Sequence, residues 1–164
     1  MKFQYDDGGR ETAGFKGKAG DCVARAVAIA TGQPYADVYK ALAAINAASR
    51  GKSSAAGKKS ARNGVDVKSA GFKRYMERLG WQWTPTMAIG SGCKVHFVAD
   101  ELPAGRLIVA LSKHYTCVID HVIHDTFNPQ RGQTVYYRTW PDVAAQTVDR
   151  VSPDRCVYGY WTQS

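Results

Sequence analysis

The sequence predicts an α+β domain in which helices come first and antiparallel strands follow. Three observations support this prediction. In the first half, apolar residues recur at the i, i+3, i+4 spacing of helices. In the second half, short runs of β-branched and aromatic residues indicate strands. The composition, 45% hydrophobic and 22% charged over 164 residues, is typical of a globular chain. We therefore expect residues 1–164 to form a single domain.

The first helix is predicted to run over residues 22–31. Asp21 is a favoured N-cap residue, and its carboxylate is expected to accept a backbone N–H of residue 23 or 24. Gly32 ends the helix. The segment is small and apolar on nearly every side, so we expect it to be central and buried. Two more helices are predicted, one after Pro34 and one from about Ser69 to Gly80.

Short strands are predicted in the second half of the chain. The strongest candidates are residues 81–84, 107–111, 135–138 and 156–161, together with a hairpin over 114–128. Residues 95–101 are ambiguous between helix and strand, and we expect a short helix that stops before Pro103.

The hairpin is the most informative segment. A two-residue turn at Asp120-His121 suits residues that tolerate left-handed backbone. Because side chains alternate between faces, this turn places His114 and Asp125 on one face as diagonal neighbours. The pairs of the ladder would be 119 with 122, 118 with 123, 116 with 125 and 114 with 127. An imidazole and a carboxylate in this arrangement can hydrogen-bond, which fixes the tautomer and stabilises the imidazolium.

Cys22 is the candidate nucleophile. A cysteine in the first turn of a helix lies where unpaired N–H groups and the helix dipole stabilise a thiolate. The charge of Asp21 opposes that effect unless its carboxylate is used in the capping bond. A buried helix packed on the inner face of the hairpin would bring Cys22 to His114, and Asp125 would orient the imidazole. Asn128 is the second candidate for the orienting position.

The motif Gly-Asp-Cys-x-x-Arg-Ala at 20–26, followed by His114 and Asp125, resembles the papain-like cysteine peptidase superfamily, and its compact bacterial and phage-encoded members in particular. The resemblance implies a papain-like fold, with the helix that bears the cysteine packed on a C-terminal antiparallel β-sheet. It implies a thiol-dependent hydrolase, a cysteine peptidase or amidase, acting through a Cys-His-Asp triad on an amide or isopeptide bond of a peptide or protein substrate. No cofactor is expected.

A metal site is the alternative interpretation of the same segment. His114, Cys117, His121 and His124 have a spacing compatible with zinc. In the predicted hairpin, however, His114 and Cys117 face opposite sides and His121 lies in the turn, so no metal site is expected.

A basic segment suggests a class of partner. The chain carries a net charge of +8, and residues 47–64 are rich in Ser, Ala, Gly and Lys, which predicts a flexible surface loop. Its cations are Arg50, Lys52, Lys58, Lys59 and Arg62. They suit an acidic partner, whereas the absence of a recognisable binding motif does not favour nucleic acid. The alternative function is therefore a non-catalytic phage or bacterial effector or binding module that keeps the fold and engages an acidic protein or nucleic acid.

The expected location is the cytoplasm of a bacterium or of a phage-infected host cell. No apolar run approaches the roughly 20 residues that cross a bilayer, so no membrane association is expected. The N-terminal residues lack the apolar core of a signal peptide. A reducing compartment disfavours disulfides, so each of Cys22, Cys93, Cys117 and Cys156 is expected to be a small buried hydrophobe or a reactive thiol.

Overall fold

The structure is a computed structural model that describes residues 1–131, 135–140, 143–151 and 154–163. Its helices are α1 (Cys22–Thr31), α2 (Tyr35–Ala48) and α3 (Ala70–Arg78). Its strands are β1 (Lys2–Tyr5), β2 (Trp81–Pro85), β3 (Arg106–Leu111), β4 (His114–Ile119), β5 (Val122–Asp125), β6 (Val135–Trp140), β7 (Val143–Val151) and β8 (Val157–Gln163). The mixed α+β class is confirmed, while the single-domain expectation stays a prediction. Within the described ranges, no helix has the length and hydropathy that crossing a membrane requires.

The main sheet has six strands in the order β1-β5-β4-β3-β8-β2, and β6 and β7 form a separate two-stranded sheet. All pairs in the main sheet are antiparallel except β1 with β5, which is parallel. The expectation of a purely antiparallel C-terminal sheet is wrong at this edge, because the N-terminal strand adds beside β5. The side chains of β1 are exposed, so the segment carries little apolar signal by which a strand could be predicted.

Helix α1 is the centre of the larger hydrophobic core and packs against β4. Its predicted bounds are confirmed. Alanines and valines fill its buried faces, and such small side chains let the helix lie close to the sheet. The helix ends at Gly32, whose left-handed backbone (φ 69°) lets its N–H donate to the carbonyl of Ala28.

The β4–β5 hairpin has the predicted turn and register. Asp120 and His121 both have positive φ, 47° and 64°. The ladder pairs Ile119 with Val122, Val118 with Ile123 and Cys117 with His124, and it extends no further. Asp120 also accepts the Gly105 N–H through Oδ1 at 2.9 Å, which ties the turn to the loop before β3. The inner and outer faces of the hairpin are therefore those that the turn predicts.

Two predictions around residues 93–101 are wrong. Cys93 and Cys156 form a disulfide, with an S–S distance of 2.24 Å, so these two residues are not free thiols. The predicted helix over 95–101 is reduced to one 3₁₀ turn at Ala99–Glu101. The residues before that turn run alongside the start of β8 instead: Val95 accepts the Val157 N–H, and His96 bridges to Cys156. A tertiary contact overrides the local helical pattern here.

The segment after α2, where a flexible loop is predicted, is held by hydrogen bonds to one buried side chain. Asn46, which is fully buried at the end of α2, donates through Nδ2 to the carbonyls of Ser60 (2.8 Å) and Gly64 (3.0 Å). Its Oδ1 accepts the backbone N–H of Asp66 at 2.9 Å. One buried amide therefore holds three points of the segment together, and the composition of the loop gave no sign of that anchor.

Candidate active site

Cys22 is the first residue of α1, and His114 is the first residue of β4. Because α1 packs on β4, the two side chains come close: the His114 ring and the Tyr115 backbone lie near enough to the Cys22 sulfur to lower the pKa of its thiol. Cys22 is half-buried. The predicted approach of the helix start to the hairpin is therefore present in the structure.

His114 is also bonded to Asp125, the last residue of β5. His114 Nε2 lies 2.7 Å from Asp125 Oδ2, and the two side chains are only 9% and 4% exposed. The other carboxylate oxygen accepts the Thr126 N–H at 2.7 Å, which fixes the orientation of the carboxylate. Because Nε2 faces Asp125, Nδ1 is the ring nitrogen left for Cys22.

Asn128, the second candidate for the orienting position, lies elsewhere. Its side chain is exposed and accepts the backbone N–H of Gln130 at 3.0 Å. The structure therefore brings Asp125, and not Asn128, to the imidazole.

The electrostatics of the group favour a thiolate beside an imidazolium. Burial raises the pKa of the Cys22 thiol, but its hydrogen bonds to His114 and to the Tyr115 backbone, with the charges of His114 and Arg25, lower it below the ordinary value overall. Burial lowers the pKa of His114, but the hydrogen bonds to Asp125 and Cys22 outweigh that effect and raise it to about 9. By contrast, burial raises the pKa of Cys117 to about 12. Of the two free cysteines in the described part of the chain, only Cys22 has a lowered pKa.

Asp21 does not cap α1 as predicted. Its side chain makes no capping hydrogen bond. Instead the carboxylate, 1% exposed, accepts Arg10 Nε at 2.8 Å and the Tyr35 hydroxyl at 2.5 Å, with Arg25 Nη1 at 3.4 Å. A buried carboxylate requires such partners: both hydrogen bonds go to Oδ2, while Oδ1 accepts no hydrogen bond from the described part of the chain and is compensated by the charge of Arg25. These cations also offset the negative charge that would otherwise disfavour a thiolate at Cys22.

Phe127 covers the His114–Asp125 pair, a contact that sequence reasoning did not assign. Its ring centroid lies 4.8 Å from that of His114, at an interplanar angle of 43°. The ring is half exposed, so its outer side faces solvent while its inner side shields the imidazole. The predicted register, which places Phe127 on the face of His114, was the signal that could have suggested it.

Cys22 and His114 line an open cleft of about 1190 Å³. Its lining includes Gly20, Asn63 and Gly64, together with three aromatic residues of β2 and β8, namely Trp83, Tyr158 and Trp161. Trp161 also belongs to the buried core, as Trp81 does, whereas Trp83 and Tyr158 are partly or fully exposed. Sequence alone did not separate these cases.

The five cations of the segment after α2 are divided by the structure. Arg50 and Lys52 line a second groove, beside α2 and α3. Arg62 donates instead to the carbonyls of Lys18 (2.8 Å) and Lys16 (3.4 Å). Lys58 and Lys59 are exposed and line neither the cleft nor the groove.

Within the ranges that the structure describes, no three His, Cys, Asp or Glu side chains are grouped as metal ligands would be. The fold and the site thus define an α+β fold in which Cys22 lies beside a hydrogen-bonded His114–Asp125 pair at an open cleft. Comparison of the chain with protein-family models, with curated proteins and with solved structures gives no match.

Proposed function

We propose that the protein is a thiol-dependent hydrolase that cleaves an amide or isopeptide bond of a peptide or protein. The observation that carries this proposal is the position of Cys22 beside His114, which is hydrogen-bonded to Asp125, at the edge of the cleft. Nucleophile, base and orienting carboxylate come from α1, β4 and β5, which are parts of one packed unit. A papain-like fold, as the sequence motif implies, is part of the same proposal.

Each group has a task in the proposed reaction. The Cys22 thiolate attacks the carbonyl carbon, and a C–S bond forms as the carbonyl electrons move to oxygen. The His114 imidazolium gives the proton on Nδ1 to the leaving amine as the C–N bond breaks, which leaves a thioester and a neutral imidazole. His114 then takes a proton from water, the hydroxide attacks the thioester, and the thiolate leaves. Asp125 holds Nε2–H throughout and stabilises each imidazolium.

Two donors are candidates for stabilising the oxyanion. The first is the backbone N–H of Cys22, at the start of α1, where helix N–H groups have no partner within the helix. The second is the Asn63 amide. A Cβ built on Gly20 would lie 3.6 Å from the Asn63 Cα, so Asn63 is adjacent to the segment that leads into Cys22. Asn63 also lines the cleft.

Selective alkylation tests the proposal. We expect iodoacetamide at neutral pH to label Cys22 much faster than Cys117, as read by peptide mapping under non-reducing conditions. His114→Ala should slow Cys22 labelling strongly. Without the imidazole, the effect of burial outweighs the interactions that remain and raises the pKa of the thiol. His96→Ala, which removes a histidine paired with Glu101 outside the cleft, is the matched control and should change nothing.

Equal and slow labelling of both thiols would contradict the proposal and leave the non-catalytic binding module as the explanation of the fold. An unchanged rate of Cys22 labelling in His114→Ala would contradict it as well. Hydrolysis itself is tested with peptide substrates and with electrophilic peptide probes. A covalent adduct on Cys22 that depends on His114 and Asp125 is the expected result.

A further inference from the structure

A second groove, of about 1120 Å³, lies between α2, α3 and the segment that follows α2. We name it the basic groove. Small apolar side chains of α2 form part of its lining, namely Ala41, Ala44, Ile45 and Ala48. A surface of methyl groups of this kind accommodates aliphatic side chains of a bound segment but supplies no polar partner for them.

Five cations surround this apolar lining: Arg50, Lys52, Lys68, Arg74 and Arg78. None of them forms an ion pair with an acidic residue of the described part of the chain. The one acidic residue that lines the groove is Asp66, which is 4% exposed and accepts the Ser49 hydroxyl. Glu77, on α3, pairs with Lys73 instead. The groove therefore presents uncompensated positive charge around an apolar surface.

The groove and the cleft share a border. Val65, Val67, Lys68 and Ser69 line both of them. The basic groove is therefore adjacent to the cleft that holds Cys22. A binding surface adjacent to the site of cleavage is what a protease needs to hold its substrate away from the scissile bond.

We propose that the basic groove binds an acidic, partly aliphatic segment of the polypeptide substrate, next to the bond that is cleaved. This inference rests on the proposed function. The charge complements Asp and Glu side chains, and the alanine-rich surface complements Leu or Val. A polypeptide suits the lining better than a nucleic acid does, because proteins bind unpaired bases by stacking them on aromatic side chains, and the lining of the groove has a single aromatic residue among those that the structure describes. Tyr75, the aromatic residue that lines the groove, has its hydroxyl directed to Gln33 Oε1 at 3.4 Å.

A binding experiment tests the groove without catalysis. The protein is the full chain with Cys22→Ala, and the probe is a fluorescein-labelled dodecapeptide of repeated Asp-Glu-Leu-Leu, followed by anisotropy. Lys52→Glu with Arg74→Glu should weaken binding by about tenfold or more, since two charges are reversed. Lys58→Glu with Lys59→Glu changes the net charge equally, lies outside the groove and should weaken binding by clearly less. Thermal unfolding checks that both variants fold, and Lys52→Ala with Arg74→Ala repeats the test without new charges.

A labelling experiment connects the groove to the cleft. The same dodecapeptide is made with a vinyl sulfone at its N-terminal end and, separately, at its C-terminal end. In at least one of these forms it should label Cys22 of the native chain at least about tenfold faster than a Lys-Lys-Leu-Leu repeat with the sulfone at the same end. The advantage should be lost in the Lys52→Glu, Arg74→Glu variant and kept in the Lys58→Glu, Lys59→Glu variant.

The outcomes separate the two proposals. If iodoacetamide labels Cys22 selectively but the acidic peptide has no advantage at either end, the basic groove is not a substrate site and the proposed hydrolase stands. If Cys22 is not selectively labelled, the proposed hydrolase fails whatever the groove binds. Equal loss of binding in both double variants overturns the inference. Tighter binding of a fluorescein-labelled oligothymidylate of the same length than of the acidic peptide overturns it as well.

Discussion

The ion pair between His114 and Asp125 gives the sharpest test of the site, through the substitution Asp125→Asn. The amide keeps the shape and can still accept the Nε2–H of a neutral imidazole, but it removes the negative charge. Because burial lowers the pKa of His114 and the bond to Asp125 is the strongest influence that raises it, we expect the pKa to fall well below about 9. The assay is an NMR titration of the His114 ring.

The magnitude follows from the pKa. The difference between about 9 and the ordinary 6.5 corresponds to roughly 3 kcal/mol in favour of the imidazolium, at about 1.36 kcal/mol for each pKa unit. Asp125 and Cys22 share this stabilisation, so loss of the Asp125 charge should cost part of it, on the order of 2 kcal/mol. Because the pKa is raised in the folded state, this stabilisation is fully present below pH 6.5 and is lost as the pH rises through about 9.

Urea unfolding should therefore show Asp125→Asn to be less stable than the native chain by about 2 kcal/mol near pH 6, with the difference shrinking toward pH 10. Asp100→Asn, an exposed change of the same charge, is the control and should show neither effect. A native His114 that titrates near 6.5, or one whose titration is the same in Asp125→Asn, would refute the reasoning.

Three further predictions concern stability, each measured by urea unfolding. Gly159→Ala should destabilise the chain by about 1–3 kcal/mol, because a Cβ there would overlap the neighbouring indole at 2.2 Å; an unchanged midpoint would contradict this placement. Reduction of the Cys93–Cys156 disulfide should cost roughly 2–4 kcal/mol, since it closes a loop with a sequence separation of 63; the double serine variant, which should be insensitive to reductant, checks the assignment. Arg10→Ala should cost about 2–4 kcal/mol by leaving the buried Asp21 carboxylate short of a partner. Addition of Asp21→Asn should recover part of that loss, and additive effects would argue against the pair.

The approach of Cys22, His114 and Asp125 to one another could be predicted because it depends on two local rules. Asp120-His121 determined the turn, and the alternation of the strands then placed His114 and Asp125 together. The small apolar residues after Cys22 identified α1 as the central helix. Turn-forming residues and helical periodicity are local features that span a few residues, so both can be recognised in one sequence.

The contacts that sequence reasoning missed join distant segments. Cys93 and Cys156 are 63 residues apart, and nothing near either cysteine marks the other as its partner. Asp21 looked like a helix cap because its neighbours fit that pattern, yet Arg10 and Tyr35 approach it from other parts of the fold. In each case a tertiary contact competes with a local preference and prevails.

The two free thiols lie in opposite electrostatic settings, and both settings exist only while α1 is packed on the hairpin. His114, which is 92 positions further along the chain, helps to lower the pKa of Cys22, whereas Cys117 is completely buried in β4. When the chain unfolds, both become ordinary cysteines, so we expect alkylation of Cys22 to slow and alkylation of Cys117 to become faster. The ratio of the two alkylation rates should therefore report what fraction of the population is native, with no added label.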